Sequence, residues 1–236
     1  MMSNIFLEDK IWFSPLNVIH HFRELENKLS EKEKSSKGFR KAEEMYSVAL
    51  MLVGIIKSQN REYWLQMVDD KSSSPDVRTG TYQQKEGVKM PDFTIQDVEV
   101  VDFEENSPEK SLTDFLKRTK LSNTKKSYDS LTTILCRVKS SIHLPSFNQM
   151  NQELKSTTFS GPVMILGRTS IDEEKPVYKI AQIHPTVDLI TEFNVLDELL
   201  NKKYNGVLSL KRATTFSTEY RAEEKHFPFE KISFAD

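Results

Sequence analysis

The order of the predicted elements is the feature that most constrains the fold of this chain. Apolar residues at helical spacing predict a long, mostly buried helix, and short apolar runs bounded by turn residues predict strands. The order predicts an α+β chain whose α/β core is a mixed central sheet flanked by helices. The predicted elements are a helix over 39–58, a strand over 62–68, the Pro75-Asp76 turn, a second strand through Tyr82, a strand over 94–103 that carries Glu99, a helix over 109–120 and a strand over 131–138.

The regions on either side of this core have different patterns. Pro15 can start an N-terminal helix, which a charged connection over 28–37 separates from the core. After residue 140, short runs of Val, Ile and Leu between turn residues predict a β-meander or an antiparallel extension of the sheet. These strands cover 162–168, 176–184, 187–193 and 206–212, with a short helix over 196–203 and a tail over 214–236 that packs across the body.

Length and composition indicate one globular protein. At 236 residues, with 37% hydrophobic and 29% charged residues, the chain can bury one substantial core. We expect a single domain over 1–236, divided into an N-terminal helical segment (1–38), the core (39–140) and a β-rich extension (141–236). No run approaches the ~20 apolar residues of a membrane span, and no secretory leader is present, so we expect a cytoplasmic protein without membrane contact.

Several common catalytic signatures are absent from the sequence. It has no glycine-rich phosphate loop, no GxSxG elbow and no HExxH or Cys/His zinc spacing. The adjacent histidines His20 and His21 are not expected to face one ion from a helix. The single cysteine, Cys136, lies in an apolar strand and is expected to pack as a buried hydrophobe.

Carboxylates in the predicted core are candidates for chemistry. Glu43 lies four residues after Phe39 on the buried face of the long helix, where a carboxylate needs a partner, which is an arginine, a capping contact or a metal site. Asp97 and Glu99 share one face of their strand. Glu99 could alternatively pair with an arginine across the sheet, either Arg78 or Arg137.

Basic residues cluster in one region, the polar face of the second core helix and the loop after it. Such a run is either a solvated helix end, which the macrodipole favours, or a patch that contacts phosphates. The net charge of −2 gives no global basic signature, so contact with nucleic acid would depend on this patch. The residues are Lys110, Lys117, Arg118, Lys120, Lys125 and Lys126.

With Asp76 in a Pro-Asp pair and Glu99 on a following strand, the order of elements over 39–138 resembles the PD-(D/E)xK nuclease superfamily. The resemblance implies a restriction-endonuclease-like fold in which Asp76 and Glu99 hold Mg²⁺ for hydrolysis of DNA. It implies that Asp97 can serve as a further metal ligand and Glu43 as a supporting catalytic carboxylate. The basic residues Lys117, Arg118, Lys120, Lys125 and Lys126 would contact the DNA.

The chain departs from the family pattern at one position. The family has a lysine two residues after the glutamate, and Val101 stands there in this chain. Some family members take the lysine from elsewhere, and Lys71, Lys85 and Lys117 are candidates here.

Two hypotheses of function follow from these patterns. The first is a Mg²⁺-dependent endonuclease or a catalytically degenerate relative of one. The second is a noncatalytic α+β protein that binds a protein partner or a second copy of itself. In that case Asp76 is a turn residue whose side chain caps its own backbone.

Overall fold

The computed structural model describes most of the chain and builds it around one mixed sheet. Helices cover both faces of this sheet, which confirms an α+β chain. None of the helices in the described ranges is both long and apolar enough to cross a bilayer. The described residues are 10–59, 61–68, 75–83, 92–121, 128, 130–139, 144–170, 172, 175–200, 207–210, 228–229 and 232–233.

Nine strands of the described ranges form the sheet, in the order β8-β7-β6-β5-β4-β3-β2-β1-β9. Strands β4, β5 and β6 run parallel, and every other neighbouring pair is antiparallel. The strands are β1 (Lys10–Phe13), β2 (Tyr63–Met67), β3 (Val77–Gln83), β4 (Asp92–Phe103), β5 (Thr132–Val138), β6 (Val163–Arg168), β7 (Val177–His184), β8 (Ile190–Asn194) and β9 (Val207–Leu210).

Helices pack on the sheet in two layers. Helices α1 and α3 share one hydrophobic core with the face of β4 that carries Val98 and Val100. Helices α4 and α5 share a second core with the opposite face, which includes Ile134 and Cys136 of β5. The helices are α1 (Pro15–Lys28), α2 (Glu31–Lys34), α3 (Lys37–Gln59), α4 (Leu112–Leu116), α5 (Phe147–Leu154) and α6 (Val195–Leu200), and a π-helical turn (Lys117–Leu121) follows α4.

Helix α3 lies close against the sheet because its apolar stripe includes a glycine. A Cβ atom added at Gly54 would lie 2.4 Å from Cγ2 of the buried Ile180 on β7, so a larger residue cannot fit without a shift. The same helix buries a nearly continuous apolar run from Val48 to Val53. This contact fixes the position of α3, whose N-terminal half carries Glu43 and Glu44.

The core elements agree with the sequence prediction, and the flanking regions differ from it in part. The order of a helix, three strands, a helix and a further strand is confirmed for α3, β2, β3, β4, α4 and β5. The structure adds that β2, β3 and β4 pair antiparallel and that β5 joins β4 in parallel. The predicted helix over 109–120 is shorter, because the chain passes into the π-helical turn after Leu116.

The β-rich extension is antiparallel from β6 to β8, as predicted, but β6 joins β5 in parallel. A parallel neighbour needs a crossover, and the unpredicted helix α5 (Phe147–Leu154) lies in it. Strand β1 and helix α2 were not predicted either, and most of the 214–236 tail lies outside the described residues.

Candidate functional site

Asp76 and Glu99 are brought together by the pairing of β3 with β4. Val77 pairs with Val98 in antiparallel register, so Asp76, one residue before β3, faces the position of Glu99. The Asp76 amide donates to the Val98 carbonyl oxygen at 3.1 Å, and the Val100 amide donates to Oδ2 of Asp76 at 2.7 Å. These bonds extend the ladder beyond the strand end and fix the Asp76 carboxylate beside Glu99.

Glu99 is a buried carboxylate with a cationic partner. Its side chain is 1% exposed, and Nζ of Lys120 lies 2.7 Å from its Oε2 atom. The hydroxyl of Tyr128 also donates to Oε2, at 3.4 Å. A buried carboxylate is stable only when it is paired and hydrogen-bonded, and Lys120 and Tyr128 meet that requirement. The sequence offered Arg78 or Arg137 as alternative partners for Glu99. In the structure Glu99 pairs with Lys120, whereas Arg78 pairs with Asp97 and Arg137 with Asp102.

The π-helical turn carries Lys120 into the interior. Leu116 and Leu121 are buried on either side of it, and the Thr119 hydroxyl donates to the Phe115 carbonyl oxygen at 2.7 Å. A π turn widens the backbone ring by one residue relative to an α-helix and so changes the direction of the side chains. Lys120 is 16% exposed as a result.

The surroundings of Lys120 keep its ammonium group charged. Burial alone would lower the pKa of Lys120, but the hydrogen bond and the negative charge of Glu99 outweigh burial, so the pKa lies above its usual value. Burial also raises the pKa of the Tyr128 phenol, and the positive charge of Lys120 opposes that rise. At neutral pH the site therefore holds a positive charge directly beside Glu99.

Glu44 supplies a third carboxylate, which the sequence patterns did not single out. It lies half-buried on α3, and its pKa is raised from 4.5 to about 7 by burial and then by the negative charge of Asp76, with Arg137 opposing the rise. A carboxylate whose pKa is raised both by burial and by a like charge is a candidate for a functional site. The sequence signal for this carboxylate was the adjacent pair Glu43 and Glu44. Which of the two side chains faces Asp76 depends on how α3 is rotated about its own axis.

Glu43, which the sequence analysis proposed as a supporting catalytic carboxylate, faces a cluster of basic side chains, Arg137 and Lys139. Its Oε2 atom lies 4.0 Å from Nη1 of Arg137 and 3.8 Å from Nζ of Lys139. Arg137 also forms a two-pronged ion pair with Asp102, and Lys139 lies 2.8 Å from the same carboxylate. Burial would raise the pKa of Asp102, but these cations hold it below its usual value. The arginine alternative for Glu43 is therefore the observed one.

The remaining predicted residues have other ion-pair partners, have no contact with the Asp76–Glu99 pair that the structure shows, or lie outside the described residues. Asp97 is half-exposed and forms an ion pair of 3.3 Å with Arg78 on the neighbouring strand. Arg118 is exposed and bound by Glu109, and Lys117 is partly buried. Lys71, Lys85, Lys125 and Lys126 lie outside the described residues.

The donor set suits a hard cation such as Mg²⁺, which prefers carboxylate oxygens. Asp76 and Glu99 face each other across two strands, and Glu44 is near enough to Asp76 to be affected by its charge. Within the described residues, the ligand atoms of these three carboxylates do not all lie within 4.8 Å of one another. Helix α3 packs on the face of β4 that carries Val98 and Val100, so Glu44 is on the opposite side of the sheet from the Glu99 side chain. Asp76, one residue before β3, is close enough for its charge to act on both Glu44 and Lys120.

The comparisons with known proteins assign no relative to the chain. No protein-family model matches it, and neither the curated proteins nor the solved structures that were searched contain a match. The functional conclusion therefore rests on the geometry of the site.

Proposed function

We propose that this protein is a Mg²⁺-dependent nuclease that hydrolyses phosphodiester bonds in DNA. The observation that carries the proposal is the contact between Lys120 and Glu99, 2.7 Å long, beside the strand position that faces Asp76. This contact brings an ammonium group to the carboxylate pair although Val101 occupies the family's lysine position. In the proposal Lys120 takes the role of that lysine, from a helix instead of from the strand.

Asp76, Glu99 and Glu44 are the residues proposed to hold the metal ion. When bound, Mg²⁺ would polarise the phosphate and offset the negative charge that develops during hydrolysis. The chain's own contribution is to fix the carboxylates through the β3–β4 ladder and to keep water away from Glu99, which is buried. Neither Glu43 nor Asp97 is included, because each faces its own arginine.

Lys120 is proposed to act as a fixed positive charge and not as a base. Its pKa is above the usual value, so the ammonium group keeps its proton at neutral pH. A preorganised cation in a water-poor site stabilises the negative charge of a phosphoryl transition state more strongly than one in water. Tyr128, which donates to the same oxygen of Glu99, holds that carboxylate in place for Lys120 and the ion.

Contact with the DNA backbone is proposed for the segment around the π-helical turn. Arg118 is exposed on the same turn that carries Lys120, and Lys125 and Lys126 follow in the sequence. Arg118 would exchange its present partner Glu109 for a phosphate, which it can bind with two parallel hydrogen bonds. Binding should then weaken as the salt concentration rises.

A cleavage assay with matched variants tests this function. The wild type, Asp76→Asn and the double variant Glu99→Gln/Lys120→Met would be incubated with double-stranded and single-stranded DNA, with Mg²⁺ or with EDTA. The double variant removes both charges of the buried pair and so leaves neither one unpaired. Asp97→Asn is the control, because it removes a carboxylate of the same strand that is ion-paired with Arg78 and is not proposed as a metal ligand.

We expect cleavage by the wild type and by Asp97→Asn in Mg²⁺, and none by the other two variants. Circular dichroism and thermal melting would establish that each variant is folded. If the folded wild type cleaves neither DNA, or if Asp76→Asn cleaves as well as the wild type, the proposal is wrong. Failure of the wild type would favour the noncatalytic alternative, which predicts a protein partner or a stable oligomer.

A further inference from the structure

Helix α1 carries a cluster of metal-ligating side chains away from the carboxylate site. Nε2 of His20 lies 3.5 Å from Oε1 of Glu24, and Nδ1 of His21 lies 3.6 Å from Oε2 of the same carboxylate. One ligand atom from each of the three residues lies within 4.8 Å of the other two. Among the described residues, His20, His21 and Glu24 are the group of metal-ligating side chains that come this close together.

From the sequence, adjacent histidines on a helix are not expected to face one ion, but the structure brings one nitrogen of each ring close to the Glu24 carboxylate. Neighbouring helical residues point about 100° apart, but the two rings offer different nitrogens. His20 reaches with its distal nitrogen and His21 with its proximal one, and the ring centroids are 5.2 Å apart. Glu24 is four residues after His20 and three after His21, so it is on the same side of α1 as both.

The spacing of the ligand atoms matches zinc coordination. Zinc binds imidazole nitrogen at about 2.0–2.1 Å and carboxylate oxygen at about 2.0–2.2 Å with tetrahedral geometry, which separates two ligand atoms by about 3.4 Å. Nε2 of His20 and Nδ1 of His21 lie 3.5 and 3.6 Å from different oxygens of the Glu24 carboxylate, which is close to that separation, and one ligand atom from each residue lies within 4.8 Å of the other two. Two imidazoles and one carboxylate are the donor set of several three-ligand zinc sites.

We infer that His20, His21 and Glu24 form a second metal site, which takes a transition-metal dication such as Zn²⁺ with water in the remaining position. The side chains of His20 and Glu24 are 59% and 46% exposed, so the ion can enter from solvent, and His21, at 19%, forms the inner wall. Imidazole nitrogens favour Zn²⁺ over Mg²⁺, whereas the carboxylate site favours Mg²⁺. The inference does not depend on the proposed nuclease function.

Calorimetric titration of the full chain with Zn²⁺, in the presence of excess Mg²⁺, tests the inference. The variants are His20→Ala and Glu24→Gln, with Glu26→Gln as the control because it alters a carboxylate on the same helix. A parallel titration with Co²⁺ reports coordination through the visible absorption of the bound ion. Asp76→Asn is included to separate this site from the carboxylate site, and circular dichroism checks that each variant is folded.

We expect one equivalent of Zn²⁺ to bind the wild type, Glu26→Gln and Asp76→Asn with equal affinity. Each missing ligand should weaken binding by about tenfold or more, which corresponds to about 1.4 kcal/mol. No binding to the wild type, or equal binding to the wild type and His20→Ala, would overturn the inference. Loss of binding in Asp76→Asn with binding retained in His20→Ala would also overturn it, since the ion would then occupy the carboxylate site.

Discussion

Replacing Glu44 with glutamine should stabilise the metal-free protein at alkaline pH. The pKa of Glu44 is about 7 in the folded chain and 4.5 without the fold's influence. Because the folded-state value is raised, this group's contribution to stability is present below pH 4.5 and is lost as the pH rises through about 7. Above that pH the wild type keeps a half-buried charge beside Asp76, and Glu44→Gln does not.

The magnitude follows from the size of the pKa change. A change of one in pKa corresponds to about 1.4 kcal/mol, so the rise from 4.5 to about 7 sets an upper limit of about 3 kcal/mol. Glu44 is only half-buried, and solvent screens part of its charge, so we expect about 1–2 kcal/mol. The difference should be about a quarter of its full value at about pH 5 and reach its full value at about pH 8.

Urea denaturation in EDTA, followed by circular dichroism at both pH values, measures this difference. Glu43→Gln is the matched control, because the neighbouring carboxylate lies near Arg137 and Lys139 and its loss removes cationic contacts. That variant should not be stabilised at alkaline pH. The same free-energy change for Glu44→Gln at both pH values, or a destabilisation at about pH 8, would refute the assignment of Glu44 to a crowded carboxylate site.

Two further predictions concern the interior. Lys120→Met should lower the free energy of unfolding by about 3–5 kcal/mol in a denaturant titration, because it removes the ammonium group that lies 2.7 Å from the buried Glu99 carboxylate. The double variant Glu99→Gln/Lys120→Met should recover most of that loss, and a double variant less stable than Lys120→Met would contradict the pairing. Gly54→Ala should cost about 1–3 kcal/mol by overpacking, since the new methyl group meets Ile180 at 2.4 Å. An unchanged melting temperature for Gly54→Ala would show that α3 is not pressed against the sheet there.

The core elements could be predicted from local patterns, whereas the choice of Asp76 and Glu99 comes from the resemblance to a nuclease superfamily. Apolar spacing identifies α3 and the neighbouring strands, because a buried helix face and a buried strand each impose a period on the sequence. Asp76 and Glu99 come close because the turn and the strand lengths determine the register of β3 against β4. The apolar spacing is visible in the sequence, and the register is a finding of the structure.

The rest of the site depends on interactions that have no local pattern. The position of Lys120 depends on the π-helical turn. A rule based on α-helical spacing would instead place Lys120 at the solvated end of the helix. The choice of Glu44 over Glu43 depends on how α3 rotates against the sheet, and that rotation is set by distant contacts such as Gly54 with Ile180. Helix α5 was missed because its few apolar residues lie in a largely polar segment.

A calorimetric titration with Mg²⁺ and Mn²⁺ tests the central claim most directly, which is that Asp76, Glu99 and Glu44 bind one divalent ion together. The wild type would be compared with Asp76→Asn, Glu44→Gln and the control Asp97→Asn. We predict one site in the wild type and in Asp97→Asn, weakened by about tenfold or more when either Asp76 or Glu44 is changed. If the folded wild type binds neither ion at millimolar concentration, or if all four proteins bind equally, these carboxylates do not form a metal site.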